Sequence, residues 1–211
     1  MMKVLVFGAS GIVGQHLRLT QPPGSEAIWC RRNADLVHTG CDLCDTDELL
    51  WVLNAIHPDV VVNLAGQNDV DVVEKDPRRW EKVNVLAPRI IADWCDKTDA
   101  HYLHVSSQAV FGGRAAPYAA DRMLSEPPAN EYGRQKRDAE LYVMERENWS
   151  IARLTFVIGI RPFPAHGREN PVEAVLAGRQ TRQVSDRYFS ICFAEDAACV
   201  LWEMVERREK K

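Results

Sequence analysis

The chain has 211 residues, of which 46% are hydrophobic, so it is long enough for one sizeable core but short for two full domains. Its 30 acidic residues outnumber the 26 basic ones, and the net charge of -4 argues against a nucleic-acid partner. The six cysteines are scattered, and the chain begins with a strand-like segment rather than a signal peptide, so we expect a cytoplasmic protein with reduced thiols. No stretch approaches the roughly 20 apolar residues that span a bilayer, so we expect no membrane segment.

The first predicted elements are a strand, a glycine-rich turn and a helix. KVLVF at 3–7 is rich in β-branched and aromatic residues, and IVGQHLRL from residue 12 has apolar residues at helical spacing. Between them lie Gly8, Gly11 and Gly14. Glycine allows a sharp turn and lets a phosphate approach the helix N-terminus, whose free N–H groups favour an anion. This order predicts a dinucleotide site; the alternative is a glycine-rich connector that only turns the chain.

The end of the second predicted strand, EAIWC at 26–30, distinguishes between cofactors. An NAD site normally offers an acidic side chain at this place, whereas a 2′-phosphate calls for arginine. Arg31 and Arg32 follow the strand directly, and the first carboxylate after them is Asp35. The sequence therefore predicts NADP(H) as the preferred cofactor, with NAD(H) as the second choice. Two solvated loop arginines are the alternative interpretation.

Strand and helix patterns alternate through the rest of the chain. Asp45 and Glu48 form a capping-box pattern ahead of a helix that Pro58 ends, and DVVVNLAG is apolar without alternation, as in a parallel strand covered on both faces. The other predicted elements are a helix over about 78–97 interrupted at Pro88, a strand at HYLHVSS, a helix over 130–148, a strand at SIARLTFV, and helices over about 171–177 and 195–209.

This alternation predicts the α/β class with a doubly wound parallel sheet. The texture changes after residue 157, where a proline- and glycine-rich loop begins. We expect a nucleotide-binding domain over 1–157 that includes the helix of EYGRQK, and a small C-terminal lobe over 158–211 packed on it. EYGRQK sets Tyr132 and Lys136 one helical turn apart, a spacing that also arises by chance and decides little alone.

In their order, these stretches resemble the extended short-chain dehydrogenase/reductases, in the branch typified by dTDP-4-dehydrorhamnose reductase. The matching stretches, within about 3–203, are FGASGIVGQHL, CDLCD, DVVVNLAGQNDVDVVEKDP, HVSSQAVFGG, EYGRQK and RLTFVIG. The resemblance implies a Rossmann-type fold and a nicotinamide cofactor. It implies cofactor contacts from Gly8, Ser10, Gly11, Ile12, Val13, Gly14, Arg31, Arg32, Asp42, Leu43, Leu64, Ala65, Gly66, Asn84, Tyr132, Lys136, Phe156, Val157 and Ile158.

The same resemblance implies a catalytic set of Ser107, Tyr132 and Lys136. Tyr132 hands a proton to the reduced carbonyl, Lys136 holds the nicotinamide ribose, and Ser107 rather than Ser106 stands at the position of the catalytic hydroxyl. A phenol with an ordinary pKa of about 10 is a poor acid at neutral pH, and we expect the neighbouring ammonium to lower that pKa. The alternative is an exposed polar helix face.

The residues after Ser107 narrow the reaction. Family members that dehydrate nucleotide sugars resemble one another in an Asp-Glu pair there, and this chain has Gln108 and Ala109. Members that combine epimerisation with reduction carry a cysteine where Ala109 stands. Simple carbonyl reduction, or C4 epimerisation through a transient ketone, remains. The segment 161–190 contains five arginines and three acidic residues. This local excess of positive charge favours an anionic small-molecule substrate such as a nucleotide-diphosphate sugar. The predicted substrate contacts are Gln67, Gln108, Arg161 and Arg187.

Two departures from the family pattern keep a second reading open. We expect an abbreviated substrate lobe, and Ala120 stands where the branch usually has an acid. The branch also resembles a subunit that modulates methionine adenosyltransferase, so a nucleotide-binding regulatory subunit without turnover is the alternative. No metal site is predicted: Cys41 and Cys44 have zinc-like spacing but no second pair, and His101 and His104, three residues apart on a strand, face opposite ways and are interpreted as structural. A homodimer is left open.

Overall fold

The computed structural model confirms the doubly wound parallel sheet and describes residues 1–114, 117–119, 125–163, 171–179 and 190–209. The strands are β1 (Lys3–Phe7), β2 (Glu26–Arg31), β3 (Thr39–Gly40), β4 (Val60–Asn63), β5 (His101–Ser107), β6 (Trp149–Leu154), β7 (Phe156–Ile158) and β8 (Ile191–Phe193). The α-helices are α1 (Ile12–Leu19), α2 (Thr46–Ile56), α3 (Val70–Lys75), α4 (Pro77–Glu81), α5 (Ala87–Thr98), α6 (Glu131–Met144), α7 (Pro171–Leu176) and α8 (Ala194–Arg207).

Six of the strands form one parallel sheet in the order β3-β2-β1-β4-β5-β6. The strand order reverses between β1 and β4, and ligands of such sheets bind outside the carboxyl ends of the strands at this point. Gly8 follows β1 and Leu64 follows β4. The topology therefore brings the predicted glycine turn and the predicted loop 64–66 to the same edge.

Apolar side chains cover both faces of the sheet. One face packs against α2 and α5 through residues such as Leu49 and Ile91, which are both fully buried. The other packs against α1 and α8, where Trp202 donates its indole N–H to the Leu17 carbonyl at 2.8 Å. Burial of this kind stabilises by about 25 cal/mol per Å² of apolar surface. Because α8 completes this layer, part of the 158–211 segment belongs to the sheet's own packing; the division near residue 157 stays a prediction.

The interruption predicted at Pro88 is a π-helical turn. The turn spans Lys82–Leu86 between α4 and α5, and the Ala87 N–H bonds to the Lys82 carbonyl five residues earlier. Proline lacks an N–H and its ring clashes with the carbonyl four residues before it, so Pro88 is accommodated at the start of α5 rather than inside a continuous α-helix. The wider turn carries buried Asn84.

The segment SIARLTFV, which was predicted as one strand, forms two separate strands. The chain leaves the main sheet after Leu154, and the next segment, β7, pairs in parallel with β8 as a separate two-stranded sheet. The Phe156 N–H bonds to the Ser190 carbonyl at 3.2 Å. The pairing partner lies more than 30 residues away in sequence, so a local apolar run does not reveal the break. None of the helices in the described part is long and apolar enough to cross a bilayer.

Candidate active site

The glycine turn between β1 and α1 is built by close backbone approaches. Gly8 has φ +82°, and a Cβ on it would lie 2.7 Å from the Ala65 nitrogen. A Cβ on Gly14 would lie 2.6 Å from the Gly8 carbonyl oxygen. Gly11 is the N-cap of α1 and supplies no side-chain cap, so the first N–H groups of this helix are available to an anion. Ser10, Ile12 and Val13 lie in the same turn and first helical residues.

The two arginines after β2 differ in their surroundings. Arg31 forms an ion pair with Asp35 at 3.0 Å and donates its Nε–H to the Asn33 carbonyl at 2.8 Å. Arg32 is exposed and has no ion-pair partner among the described residues. The Asp35 carboxylate accepts hydrogen bonds from the backbone N–H groups of Val37 and His38. The bond from Val37 contributes most to lowering the pKa of Asp35 to about 2. Of the pair, Arg32 is thus the one left available to a 2′-phosphate.

The predicted adenine and ribose contacts lie along the same edge. The Asp42 carboxylate accepts the Cys44 N–H at 3.0 Å, and Leu43 is buried beside it. Leu64 and Ala65 are partly buried, whereas Gly66 is exposed. The described residues contain no group of three or more His, Cys, Asp or Glu side chains arranged to hold a metal ion.

Asn84 ties the predicted loop to the helix that carries the tyrosine. Its Oδ1 accepts the Gln67 N–H at 2.9 Å, and its Nδ2 donates to the Gln67 carbonyl at 3.1 Å and to Gln135 Oε1 at 2.9 Å. Gln135 is fully buried and donates in turn to the Pro77 carbonyl. The backbone of Gln67 is therefore engaged with Asn84. Gln135 was not among the predicted residues, because its position inside EYGRQK gave no signal of burial.

The structure brings Ser107 and Tyr132 together. Ser107 ends β5 and Tyr132 lies in the first turn of α6, and their side chains are close enough for the Ser107 hydroxyl to lower the pKa of the Tyr132 phenol. The Ser107 Oγ also accepts the Ala109 N–H at 3.2 Å. The close approach depends on Gly133, where a Cβ would collide with the Ala109 carbonyl. Ser106, in contrast, has a buried hydroxyl without a hydrogen-bond partner among the described residues.

Lys136 is one turn further along α6 and is almost fully buried. Its Nζ donates to the Val105 carbonyl at 2.9 Å and lies 3.3 Å from His104 Nε2. Burial lowers the pKa of Lys136 to about 8, and nearby Glu140 opposes that shift. We expected Lys136 to lower the pKa of Tyr132. Instead, burial raises the pKa of Tyr132, and hydrogen bonding with Ser107 lowers it in part. The ammonium is directed at β5 instead.

Glu140 belongs to a buried ion pair that the sequence did not indicate. Glu140 is fully buried, and Arg153 on β6 donates to its carboxylate from Nε at 3.1 Å and from Nη2 at 2.8 Å. The Arg153 guanidinium also lies over the Phe111 ring, 5.1 Å from its centroid. This pair joins α6 to β6 directly behind the Tyr132 and Lys136 turn.

The predicted nicotinamide and substrate ends are described in part. Phe156, Val157 and Ile158 form β7 and are partly buried. Gln108 begins the 3-10 turn after Ser107. Arg161 forms an ion pair with Glu173 at 3.0 Å, and its N–H bonds to the same carboxylate at 3.1 Å. Arg187 and Ala120 lie outside the described residues.

Curated relatives match most of the chain over part of their own length. The chain is 31% identical over 205 residues to the spore coat polysaccharide biosynthesis protein SpsK of Bacillus subtilis, covering 94% of the chain and 68% of that protein. It is 32% identical over 145 residues to dTDP-4-dehydrorhamnose reductase of Mycolicibacterium smegmatis, covering 67% of the chain and 41% of that protein. It is 30% identical over 145 residues to methionine adenosyltransferase 2 subunit beta of Rattus norvegicus, covering 68% and 43%.

Solved structures and a family model agree with these relatives. A dTDP-4-dehydrorhamnose reductase from Clostridium acetobutylicum superposes with a TM-score of 0.84 at 22% identity, covering 100% of this chain and 72% of that one. The Bacillus anthracis reductase in complex with NADP superposes with a TM-score of 0.79 at 20% identity, covering 98% and 71%. The model of the RmlD substrate binding domain matches residues 2–211. The chain belongs to this family, the dTDP-4-dehydrorhamnose reductase-like branch of the extended short-chain dehydrogenase/reductases.

Proposed function

We propose that the protein is an NADPH-dependent reductase that acts on a carbonyl of a nucleotide-diphosphate sugar. The observation that carries the proposal is that Ser107 at the end of β5 and Tyr132 on α6 lie side by side, one helical turn from buried Lys136. A serine hydroxyl beside a phenol offers a carbonyl oxygen two neighbouring hydrogen-bonding groups. The family membership supports the same reaction class, since relatives in this family are named as sugar-nucleotide reductases.

The residues at the strand edge fit a dinucleotide. The Gly8 and Gly14 positions leave room for backbone only, so a pyrophosphate can approach the N–H groups that begin α1. Exposed Arg32 supplies a charge for a 2′-phosphate, which favours NADP(H) over NAD(H). The Bacillus anthracis relative was solved with NADP. When bound, NADPH supplies the hydride.

The proposed roles of the protein's own groups are those that the family resemblance implies. Tyr132 gives its phenolic proton to the carbonyl oxygen as negative charge develops there, and Ser107 orients that oxygen and stabilises it. Lys136 holds the nicotinamide ribose. Gln67, on the loop after β4, and Gln108, on the turn after β5, are the proposed substrate contacts there. The ion pair of Arg161 with Glu173 means that a substrate phosphate has to compete with a carboxylate for this guanidinium.

The test is NADPH oxidation followed spectroscopically against a panel of nucleotide-linked keto sugars. Tyr132→Phe should lower the catalytic rate by about 10² to 10⁴ while NADPH affinity stays nearly the same, because the phenol acts only as charge develops. Tyr142→Phe is the matched control: it removes a hydroxyl from the same helix, where it donates to Asp93 at 2.9 Å. Ser107→Ala should also lower the rate with little change in cofactor affinity.

A regulatory subunit without turnover is the second candidate. One relative at 30% identity is named methionine adenosyltransferase 2 subunit beta, and the chain covers 43% of that protein. Tight NADPH binding without oxidation by any substrate, and a Tyr132→Phe variant that matches the wild type in every assay, would favour this reading. A nucleotide-sugar C4 epimerase, the third reading, would interconvert epimeric sugar nucleotides without net consumption of cofactor.

A further inference from the structure

A buried amide on α6 has no role in the reaction proposed above. Gln135 is fully buried, although glutamine is a residue type that is mostly exposed in folded proteins. It directly precedes Lys136 and lies three residues after Tyr132, so it neighbours Tyr132 on the surface of the helix. An apolar side chain of the same size would fill this space without a polar group to satisfy. The reason for an amide has to lie in its hydrogen bonds.

The hydrogen bonds of Gln135 have a fixed direction, because backbone groups stand at both ends. The Pro77 carbonyl can only accept, so Gln135 Nε2 donates to it at 2.8 Å and Oε1 is left to accept. Asn84 Nδ2 donates to that Oε1 at 2.9 Å and to the Gln67 carbonyl at 3.1 Å. The Gln67 N–H can only donate, and it meets Asn84 Oδ1 at 2.9 Å. Neither side-chain amide can turn over without losing these bonds.

The loop that receives these bonds, residues 64–67 after β4, belongs to the proposed cofactor edge. Leu64, Ala65 and Gly66 are the proposed cofactor contacts on it. A Cβ on Gly66 would lie 3.0 Å from Asn84 Oδ1, so Asn84 packs against the loop as well as bonding to it. Because Asn84 holds both backbone groups of Gln67, a displacement of the loop has to break bonds to this one amide.

A second contact joins the same stretch of chain to α6 on the other side of Tyr132. Glu74 on α3 accepts the Glu131 N–H at 2.7 Å. The stretch 67–84 therefore bonds to α6 at residues 131 and 135, which flank the tyrosine in sequence. The bond to Glu74 is exposed, whereas the bonds of Gln135 are wholly or partly buried. Hydrogen bonds are electrostatically stronger in the interior, so Gln135 supplies the firmer of the two connections.

We propose that Gln135 is a positioning residue: through Asn84 it fixes the loop 64–67 against the turn of α6 that carries Tyr132. A cofactor bound along the loop and a carbonyl held at Tyr132 then keep a constant separation, and hydride transfer depends on such a fixed geometry. The inference rests on the proposed function for this consequence. The anchoring of the loop is a property of the cofactor-free protein.

Amide hydrogen exchange of the cofactor-free protein measures this anchoring. In the wild type we expect the Gln67 N–H to exchange slowly, because the loop has to open away from Asn84 first. Gln135→Met keeps the length of the side chain but removes its amide, and should speed this exchange about tenfold or more, because Asn84 loses the acceptor that orients it. The Ala65 N–H, bonded to Asn63 Oδ1 at 3.0 Å, should be unaffected. Rapid exchange of the Gln67 N–H in the wild type, or equal exchange in both proteins, would overturn the proposal.

A measurement on the wild type keeps the proposal testable if Gln135→Met does not fold. Exchange followed at increasing denaturant groups the N–H groups by the unit that opens with them. The Gln67 N–H should open together with the N–H groups of α6. Opening of the loop at a lower denaturant concentration than α6 would show that Gln135 does not hold it.

Fluorescence titration with NADPH separates positioning from a loss of stability. At a temperature where both proteins are folded, Gln135→Met should raise the NADPH dissociation constant about three- to tenfold, because the cofactor then has to order a loop that the wild type holds in place. Ser150→Ala is the matched control. It also removes a buried hydrogen-bonding side chain, which contacts His101 and the Glu209 carbonyl, so it should lower Tm without changing NADPH affinity. An unchanged NADPH affinity in Gln135→Met would refute the coupling.

Kinetics distinguish this proposal from the reductase proposal. If the wild type reduces a nucleotide-linked keto sugar, Gln135→Met should lower kcat and weaken NADPH binding together, whereas Tyr132→Phe should lower kcat alone. If no substrate is reduced, the reductase proposal fails, and the exchange and titration experiments still decide the role of Gln135. If the wild type turns over and Gln135→Met matches it in exchange and affinity, only the role of Gln135 is refuted.

Discussion

Replacing Glu140 by Gln should be among the most destabilising single changes near the site. The carboxylate is fully buried and binds the Arg153 guanidinium through Nε and Nη2 at 3.1 and 2.8 Å. Glutamine keeps the size but removes the charge, so the Arg153 guanidinium loses the negative charge of this carboxylate in a poorly solvated position. Breaking a buried pair in this way costs about 3–5 kcal/mol, which at about 2–4 °C per kcal/mol for a chain of this size lowers Tm by about 6–20 °C.

The assay is chemical and thermal unfolding followed by circular dichroism. Glu131→Gln is the matched control on the same helix: its ion pair with Arg134, at 2.6 Å, has side chains 32% and 43% exposed, and should contribute no more than about 1 kcal/mol. Replacing both buried partners, Glu140→Leu with Arg153→Met, should recover much of the lost stability, because neither member of the pair is then buried without the other. A Glu140→Gln loss as small as that of Glu131→Gln would refute the reasoning.

Three further predictions concern the site. Burial lowers the pKa of Lys136 from 10.5 to about 8, so the folded protein disfavours its charged form. The free energy of unfolding of the wild type, relative to that of Lys136→Met, should therefore rise by up to about 3 kcal/mol as the pH goes from about 8 to 10.5. A difference between the two proteins that does not change with pH would contradict this. Arg32→Ala should weaken NADPH binding roughly tenfold or more in titration calorimetry with little effect on NADH, and Arg31→Ala, whose guanidinium is paired with Asp35, should weaken it less; equal losses would show that the Asp35 pair does not withhold Arg31. Gly14→Ala should lower Tm and NADPH affinity more than Gly11→Ala, because the added Cβ lies 2.6 Å from the Gly8 carbonyl in the first case and 3.4 Å in the second; similar losses would count against the close-packed turn.

The features predictable from the sequence are those that depend on local geometry. The glycine turn could be interpreted because glycine at 8 and 14 answers a steric need within a few residues of backbone. The Tyr132 and Lys136 spacing needed only the helical repeat. The parallel sheet was likewise predictable from the alternation of strands and helices, because the hydrophobic periodicity of each element lies within its own stretch of sequence.

The features that could not be predicted from the sequence depend on which elements pack against each other in the fold. His104 was interpreted as structural because it lies three residues from His101 on a strand, and nothing local shows that α6 brings Lys136 over it. Gln135 gave no signal, since its partners Asn84 and Pro77 lie more than 50 residues away. The expected effect of Lys136 on Tyr132 assumed that neighbours on a helix face each other, whereas the Val105 carbonyl draws the lysine toward β5.

The π-helical turn at Lys82–Leu86 makes two features of the chain depend on each other. Such a turn holds one residue more than the corresponding α-helical turn, so a single deletion within it would draw the widened backbone back to α-helical width. Asn84 would then leave Gln67 and Gln135. The same deletion would place Pro88 inside a continuous helix, at a cost of about 3 kcal/mol or more. One widened turn therefore both accommodates the proline and holds Asn84 against Gln67 and Gln135.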